Sequence, residues 1–366
     1  MLSTVAIAMS QLAVAPCTLT RGYHAGALMN LGRTQEAFPL AMQGWSVAQT
    51  IDDPLLRISA RFFVGQVHTR MGALRAALES LGGDIGLPTD RLIELASDRT
   101  AGGTLYARSA LTSYMFMRVE SSFDYLELGS FEAAAQQVRE AEHIAESVDL
   151  VYFRALAEMA GGCLHLYRGA PALAIPMLER SLKRGDDADF PGAIIHSAWG
   201  PGHAYNLTQR PREAAAVLQR GWDPAESEGF RHFGVSCLMH LADAHSLAGD
   251  EAKALATIDR ALVVARDGSF RAREAWALFV QGNILARGSR TDVQSALRAY
   301  QAALALAGDL EMRPLVAHCQ FGLGMLAREC AQPPQAREHL TEAGTMFREM
   351  GRQPWVEKSD DALRAM

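Results

Sequence analysis

Ala242-Asp243-Ala244-His245-Ser246-Leu247-Ala248-Gly249-Asp250-Glu251-Ala252-Lys253-Ala254-Leu255-Ala256-Thr257-Ile258 decides the fold, because its marks return along the whole chain. The anchor is Ala254, and alanine stands equivalently at 37, 77, 134, 174, 214, 296 and 336, in steps of 40, 57, 40, 40, 40, 42 and 40. Twelve residues before the anchor is a small residue: Ala25, Gly65, Ser122, Gly162, Gly202, Ala242 and Gly324. The seventh unit is stretched by two, with Gly282 fourteen before Ala296. Five residues before the anchor there is often glycine (Gly32, Gly72, Gly129, Gly169, Gly249). Four after it comes a mostly larger apolar residue, such as Leu81, Val138, Leu178, Leu218, Ile258, Tyr300 or Leu340. A fixed period of this length means stacked units, none of which buries its apolar face alone.

Each unit reads as a helical hairpin. Small residues at matched places let two antiparallel helices approach, and the glycine between them turns the chain. The second helix opens on capping and charged residues, as in Gly249-Asp250-Glu251, or on proline, as in Arg210-Pro211-Arg212-Glu213. Proline suits the first helical turn because its missing N–H has no helical partner there. Leu255, Ile258, Ala261 and Leu262 recur at helical steps, and no window alternates apolar with polar residues for long. The expected class is all-α.

The 366 residues therefore predict one elongated unit rather than two or three globular domains, and 49% apolar residues are ample for a continuous core. Net charge is −6, and of 35 basic side chains only Lys183, Lys253 and Lys358 are lysines. That balance offers no broad basic face, so nucleic acid is not an expected partner. Five cysteines, at 17, 163, 237, 319 and 330, form no CxxC pair and predict a reducing, cytoplasmic setting without a disulfide framework. No stretch is long enough to predict a membrane span. Residues 1–18, with no basic residue before Arg21 and with Pro16 after Ala13-Val14-Ala15, read as a partial repeat capping the first hairpin rather than as a targeting signal. Eight repeats should occupy 19–352, with 353–366 as a C-terminal capping helix. The excess of 17 residues between Ala77 and Ala134 predicts an insertion near 82–109, read as a longer loop in preference to a flap over a binding face.

These hairpins resemble tetratricopeptide repeats in a longer, roughly forty-residue form. Arg273-Glu274-Ala275-Trp276-Ala277-Leu278, Tyr300-Gln301-Ala302-Ala303-Leu304-Ala305-Leu306-Ala307, Glu311-Met312-Arg313-Pro314 and Ala336-Arg337-Glu338-His339-Leu340 are similar to the C-terminal repeat tail of bacterial signalling proteins that join a class III nucleotide cyclase, or another output domain, to a regulatory ATPase. The resemblance implies a right-handed superhelical solenoid. Neither enzymatic domain is written here: no lysine follows a glycine as a phosphate loop needs, and there is no HExxH, paired-cysteine or GxSxG pattern. No cofactor and no metal are expected.

The resemblance further implies that the first helix of each hairpin lines a concave groove, through the residue after each small packing residue and the residue four before that one. The first ladder reads Phe123, Cys163, His203, Asp243 and Asn283; the second reads Val119, Met159, Trp199, Met239 and Phe279; Tyr167, His196 and Trp276 should join them. Such a channel suits a peptide, a protein segment or an apolar small molecule, and makes the chain a binding module in signalling or regulation. It lacks the lysines and asparagines with which chaperone-binding repeats clamp a carboxylate. Two alternatives stay open: an enzyme using His203 with Asp243 beside it, and a self-associating scaffold.

Overall fold

The computed structural model describes residues 18–83, 85–98, 104–188, 191–288 and 292–366, and the expected N-terminal cap thus lies outside the described residues save for Thr18. Every regular element described is a helix. Helix α1 covers 18–30 and pairs with α2 (Thr34–Gln49), and α3 (Pro54–Met71) pairs with α4 (Leu74–Gly82). After α5 (Thr89–Ser97) come α6 (Thr104–Glu127) and α7 (Phe131–Ser147), then α8 (Val151–Tyr167) and α9 (Pro171–Asp187). The series continues through α10 (Pro191–Leu207), α11 (Pro211–Ser227), α12 (Arg231–Leu247), α13 (Glu251–Asp267), α14 (Arg271–Arg287) and α15 (Val293–Asp309). It ends with α16 (Arg313–Glu329), α17 (Pro333–Glu349) and the unpaired α18 (Gln353–Arg364). The molecule is an all-α solenoid of tetratricopeptide-type hairpins.

The sequence marks have definite jobs. All eight anchor alanines are fully buried. A Cβ placed on Gly65, Gly162, Gly202 or Gly324 would come within 3.0 Å of Leu81, Leu178, Leu218 or Leu340 respectively. The glycine of the first helix is thus the socket for the large residue of the second, sixteen residues on. In the stretched unit Gly282 receives Tyr300 in the same way, eighteen on. Where it is described, the turn residue five before the anchor is left-handed: Gly169 and Gly249 have φ of 82° and 84°, and where glycine is missing Gln209 and Ala331 adopt 60° and 54°. At the start of α13 the Asp250 carboxylate accepts the Lys253 N–H at 3.1 Å, the expected cap.

Two features depart from expectation. The insertion is not simply a loop: it contains α5, which packs along α6 and touches α7, with Leu92 and Ala96 buried. The superhelix also closes on itself. Thr34 Oγ1 donates to Gly268 O at 2.8 Å across 234 residues, and Arg75 meets Glu311 at 2.5 Å across 236. Further along the same seam Gly129 lies under Met350, and Gly169 under Pro354 and Trp355. The turns of the N-terminal hairpins therefore rest on those of the C-terminal ones, and the axis is enclosed instead of forming an open groove.

Candidate functional site

The inward face of α8, α10, α12, α14, α16 and α18 surrounds a cavity of about 380 Å³. Eight residues singled out in the sequence line it: Tyr167, Trp199, His203, Met239, Asp243, Trp276, Phe279 and Asn283. Phe123, Met159 and His196 instead line a separate space of only about 30 Å³ nearer the N-terminus. Cys163 lines neither and is wholly buried; its thiol is pushed far above the usual range by desolvation. Both repeat-derived ladders are thus split by the tertiary structure.

The N-terminal part of the axis is filled from across the superhelix. Arg70 forms a buried ion pair with Glu120 at 3.1 Å, and its guanidinium lies 5.0 Å from the centre of the Phe233 ring. His196 donates from Nδ1 to Gly192 O at 2.6 Å and is held against Phe233 at 4.1 Å between ring centres. Burial pushes its pKa down to about 4, so the ring is neutral at ordinary pH. This part is core.

Beyond it the cavity opens between aromatic walls. Trp276 packs edge-on against Tyr167 and Phe279, and Trp355 against His318 and Phe321. Glu127 anchors the wall from α6: its carboxylate accepts the Tyr167 hydroxyl at 2.9 Å and the Trp276 indole N–H at 2.8 Å, with Arg273 at 3.5 Å. Desolvation raises the Glu127 pKa, an effect that Arg273 and the two hydrogen bonds oppose. Asn283 accepts the Tyr300 hydroxyl at 2.8 Å. Trp199, expected to project into an open groove, is only 5% exposed and packs on Phe123 and His240.

The candidate dyad is not assembled. Asp243 is engaged by Arg287, while His203 stacks on His240 at 4.2 Å and its Nδ1 has no hydrogen-bond partner among the described residues. Burial lowers the His203 pKa to about 4 and pushes His240 well below the imidazole range. Without a carboxylate hydrogen-bonded to Nδ1, His203 is not set up as a base by Asp243. No cluster of three or more His, Cys, Asp or Glu side chains suited to a metal ion occurs among the described residues.

Several cavity residues went unread in the sequence. His240 and His318 lie outside the two ladders drawn there. Arg352, Trp355 and Lys358 belong to α18 and its start, which the repeat pattern assigns only to capping. Their signal was the rarity of lysine combined with a tryptophan between two cations, Arg352-Gln353-Pro354-Trp355-Val356-Glu357-Lys358.

No protein-family model and no curated protein sequence matches the chain. Among solved structures it is similar to a Rap protein complexed with competence and sporulation factor, with 11% identity, 96% of this chain and 97% of that chain covered, and a TM-score of 0.57. It is likewise similar to the Rap conjugation gene regulator of plasmid pLS20 in complex with the Phr* peptide, with 12% identity, coverage of 92% and 96%, and a TM-score of 0.59. A signal transduction ATPase with a tetratricopeptide repeat sensor from Pyrococcus horikoshii matches 90% of this chain over 55% of its own, at 13% identity and a TM-score of 0.42. At such identities the likeness concerns the fold.

Proposed function

We propose that this chain is a binding module of a signalling or regulatory system that encloses a short peptide segment or an apolar small molecule at its superhelical axis. The observation that carries the reading is the aromatic cavity itself. A well-packed interior leaves few voids larger than a water molecule, yet here about 380 Å³ is kept open between Trp199, Trp276, Phe279, Phe321 and Trp355. Its size and its mostly apolar lining, with a few polar groups, are those of ligand sites. The two Rap structures, each solved with a peptide or factor bound, support the peptide class. The unassembled His203–Asp243 pair supplies no reason to prefer catalysis.

Leu207 provides the test. It stands 39% exposed while lining the cavity, so a larger side chain there can enter the space without breaking packed contacts. Leu207→Trp is expected to weaken binding of apolar tetrapeptides more than tenfold in calorimetric titration, with the melting temperature unchanged. Unaltered affinity in that variant would locate binding away from the cavity.

A further inference from the structure

We infer that the cavity takes its ligand by an anionic group, a carboxylate or a phosphate, held by Arg352 and Lys358 where α18 closes the superhelix. This rests on the reading of the cavity as a binding site and adds the chemistry it selects. The charges that line it are Arg273, Arg352 and Lys358 against Asp243. Arg273 is matched by Glu127, and Asp243 by Arg287. Subtracting those pairs leaves Arg352 and Lys358 with no carboxylate in ion-pair range among the described residues.

Arg352 is the telling one. It is only 3% exposed, its Nη1 donates to His318 Nε2 at 2.9 Å, and its Nε has no hydrogen-bond partner among the described residues. An imidazole that accepts from a guanidinium must be neutral, which agrees with the depressed His318 pKa, so His318 orients Arg352 without answering its charge. Rings of Phe347 and Trp355 lie 5.2 and 5.7 Å from the guanidinium, and Lys358 Nζ sits 4.2 Å from the centre of the same Trp355 ring. Aromatic faces favour a cation but do not neutralise it. Keeping a guanidinium out of water without a counter-ion is costly, and a ligand anion removes that cost. The first turn of α18, through Pro354 and Trp355, also borders the cavity and adds the positive end of its dipole. An aromatic or apolar body against Trp276 and Phe279 with an acidic end at Arg352 satisfies both halves of the site.

Matched probes decide this on the full-length chain at low ionic strength. The probes are an apolar tetrapeptide ending in tryptophan as free acid and as amide, indole-3-acetic acid and its amide, and naphthyl phosphate with naphthol. The acidic member of at least one pair is expected to bind more than tenfold tighter, and the pair with the largest ratio identifies the source of the anion. Lys358→Gln, at a solvent-exposed position, should reduce that ratio severalfold at constant melting temperature. Arg352→Gln should bring it close to one, and Arg352→Lys should restore part of it. Should Arg352→Gln not fold, Lys358→Gln alone carries the decision. Equal binding of acidic and neutral members in the natural chain overturns the anion inference and leaves the apolar cavity standing. Binding of none of the six probes overturns both.

Discussion

Gly202 and Ala331, at different positions of two different hairpins, face opposite demands. Gly202 has no room for a side chain, since three side-chain atoms of Leu218 lie within 3.0 Å of where its Cβ would be. Gly202→Val is expected to overpack that socket and cost about 1–3 kcal/mol. Ala331 has room for less conformational strain: its φ of 54° is left-handed, which disfavours any Cβ-bearing residue. Ala331→Gly should therefore raise stability by roughly 0.5–1 kcal/mol, the left-handed cost less the entropy of an added glycine. Denaturant midpoints of both variants check the pair, and a shift of the same sign in each would show that the repeat register has been misassigned. Trp199 illustrates a limit of reasoning by position alone. Its place in the ladder suggested an exposed groove residue, whereas its burial means that truncation to alanine would alter stability as well as binding.

Among the elements, α18 does more than close a stack. Its Trp355 packs on Phe347 of α17, as a terminal cap should, and also reaches under Gly169 at the α8–α9 turn. Val356, Ser359 and Ala362 form its buried face. Removing residues 353–366 should thus have two effects: exposure of the apolar face of α17, and loss of one cavity wall. The expected readouts are self-association in sedimentation and loss of tetrapeptide binding. A truncated chain that stays monomeric and binds normally would deny α18 both roles. The insertion helix α5, by contrast, packs outside the axis against α6 and α7, where added length is accommodated without touching the cavity.

The whole molecule buries an unusual set of imidazoles around its axis. His196, His203, His232, His240 and His318 are all held below the ordinary histidine range, chiefly by desolvation, and two of them near pH 4. A lowered folded-state pKa means that the contribution to stability is fully present above about 6.5 and is lost as the pH falls through the window toward 4. Each such group gives a slope of up to about 1.4 kcal/mol per pH unit within that window. Asp124 and Glu127, whose pKa values burial raises, act in the opposite direction, their contribution being fullest at acid pH. His68, His165 and His245 are also lowered and Glu142 also raised, so eight imidazoles against three raised carboxyls among the described residues predict a net loss, and the melting temperature should fall by several degrees between pH 7 and pH 5. His240→Asn should flatten that slope. A melting temperature that is constant or rises on acidification would mean that these rings are hydrated.

The repeat unit and its internal contacts are legible in the order of residues. Gly162 meeting Leu178 and the turn at Gly169 are relations within forty residues, repeated often enough that periodicity reveals them, and helical spacing fixes which residues share a face. Which side chains meet inside the axis depends on how the hairpins stack. The pitch of the superhelix brings Arg75 to Glu311 and α18 to α8, and it sums small rotations between hairpins that no local pattern encodes. That closure turns Phe123, Met159 and His196 into core while leaving Trp276, Phe279 and Asn283 around a cavity. Arg352 and Lys358 stood outside the repeat register and carried no period to mark them. Their place at the cavity follows from long-range packing, because a side chain's neighbours across the axis are set by the accumulated twist and not by its position in the unit.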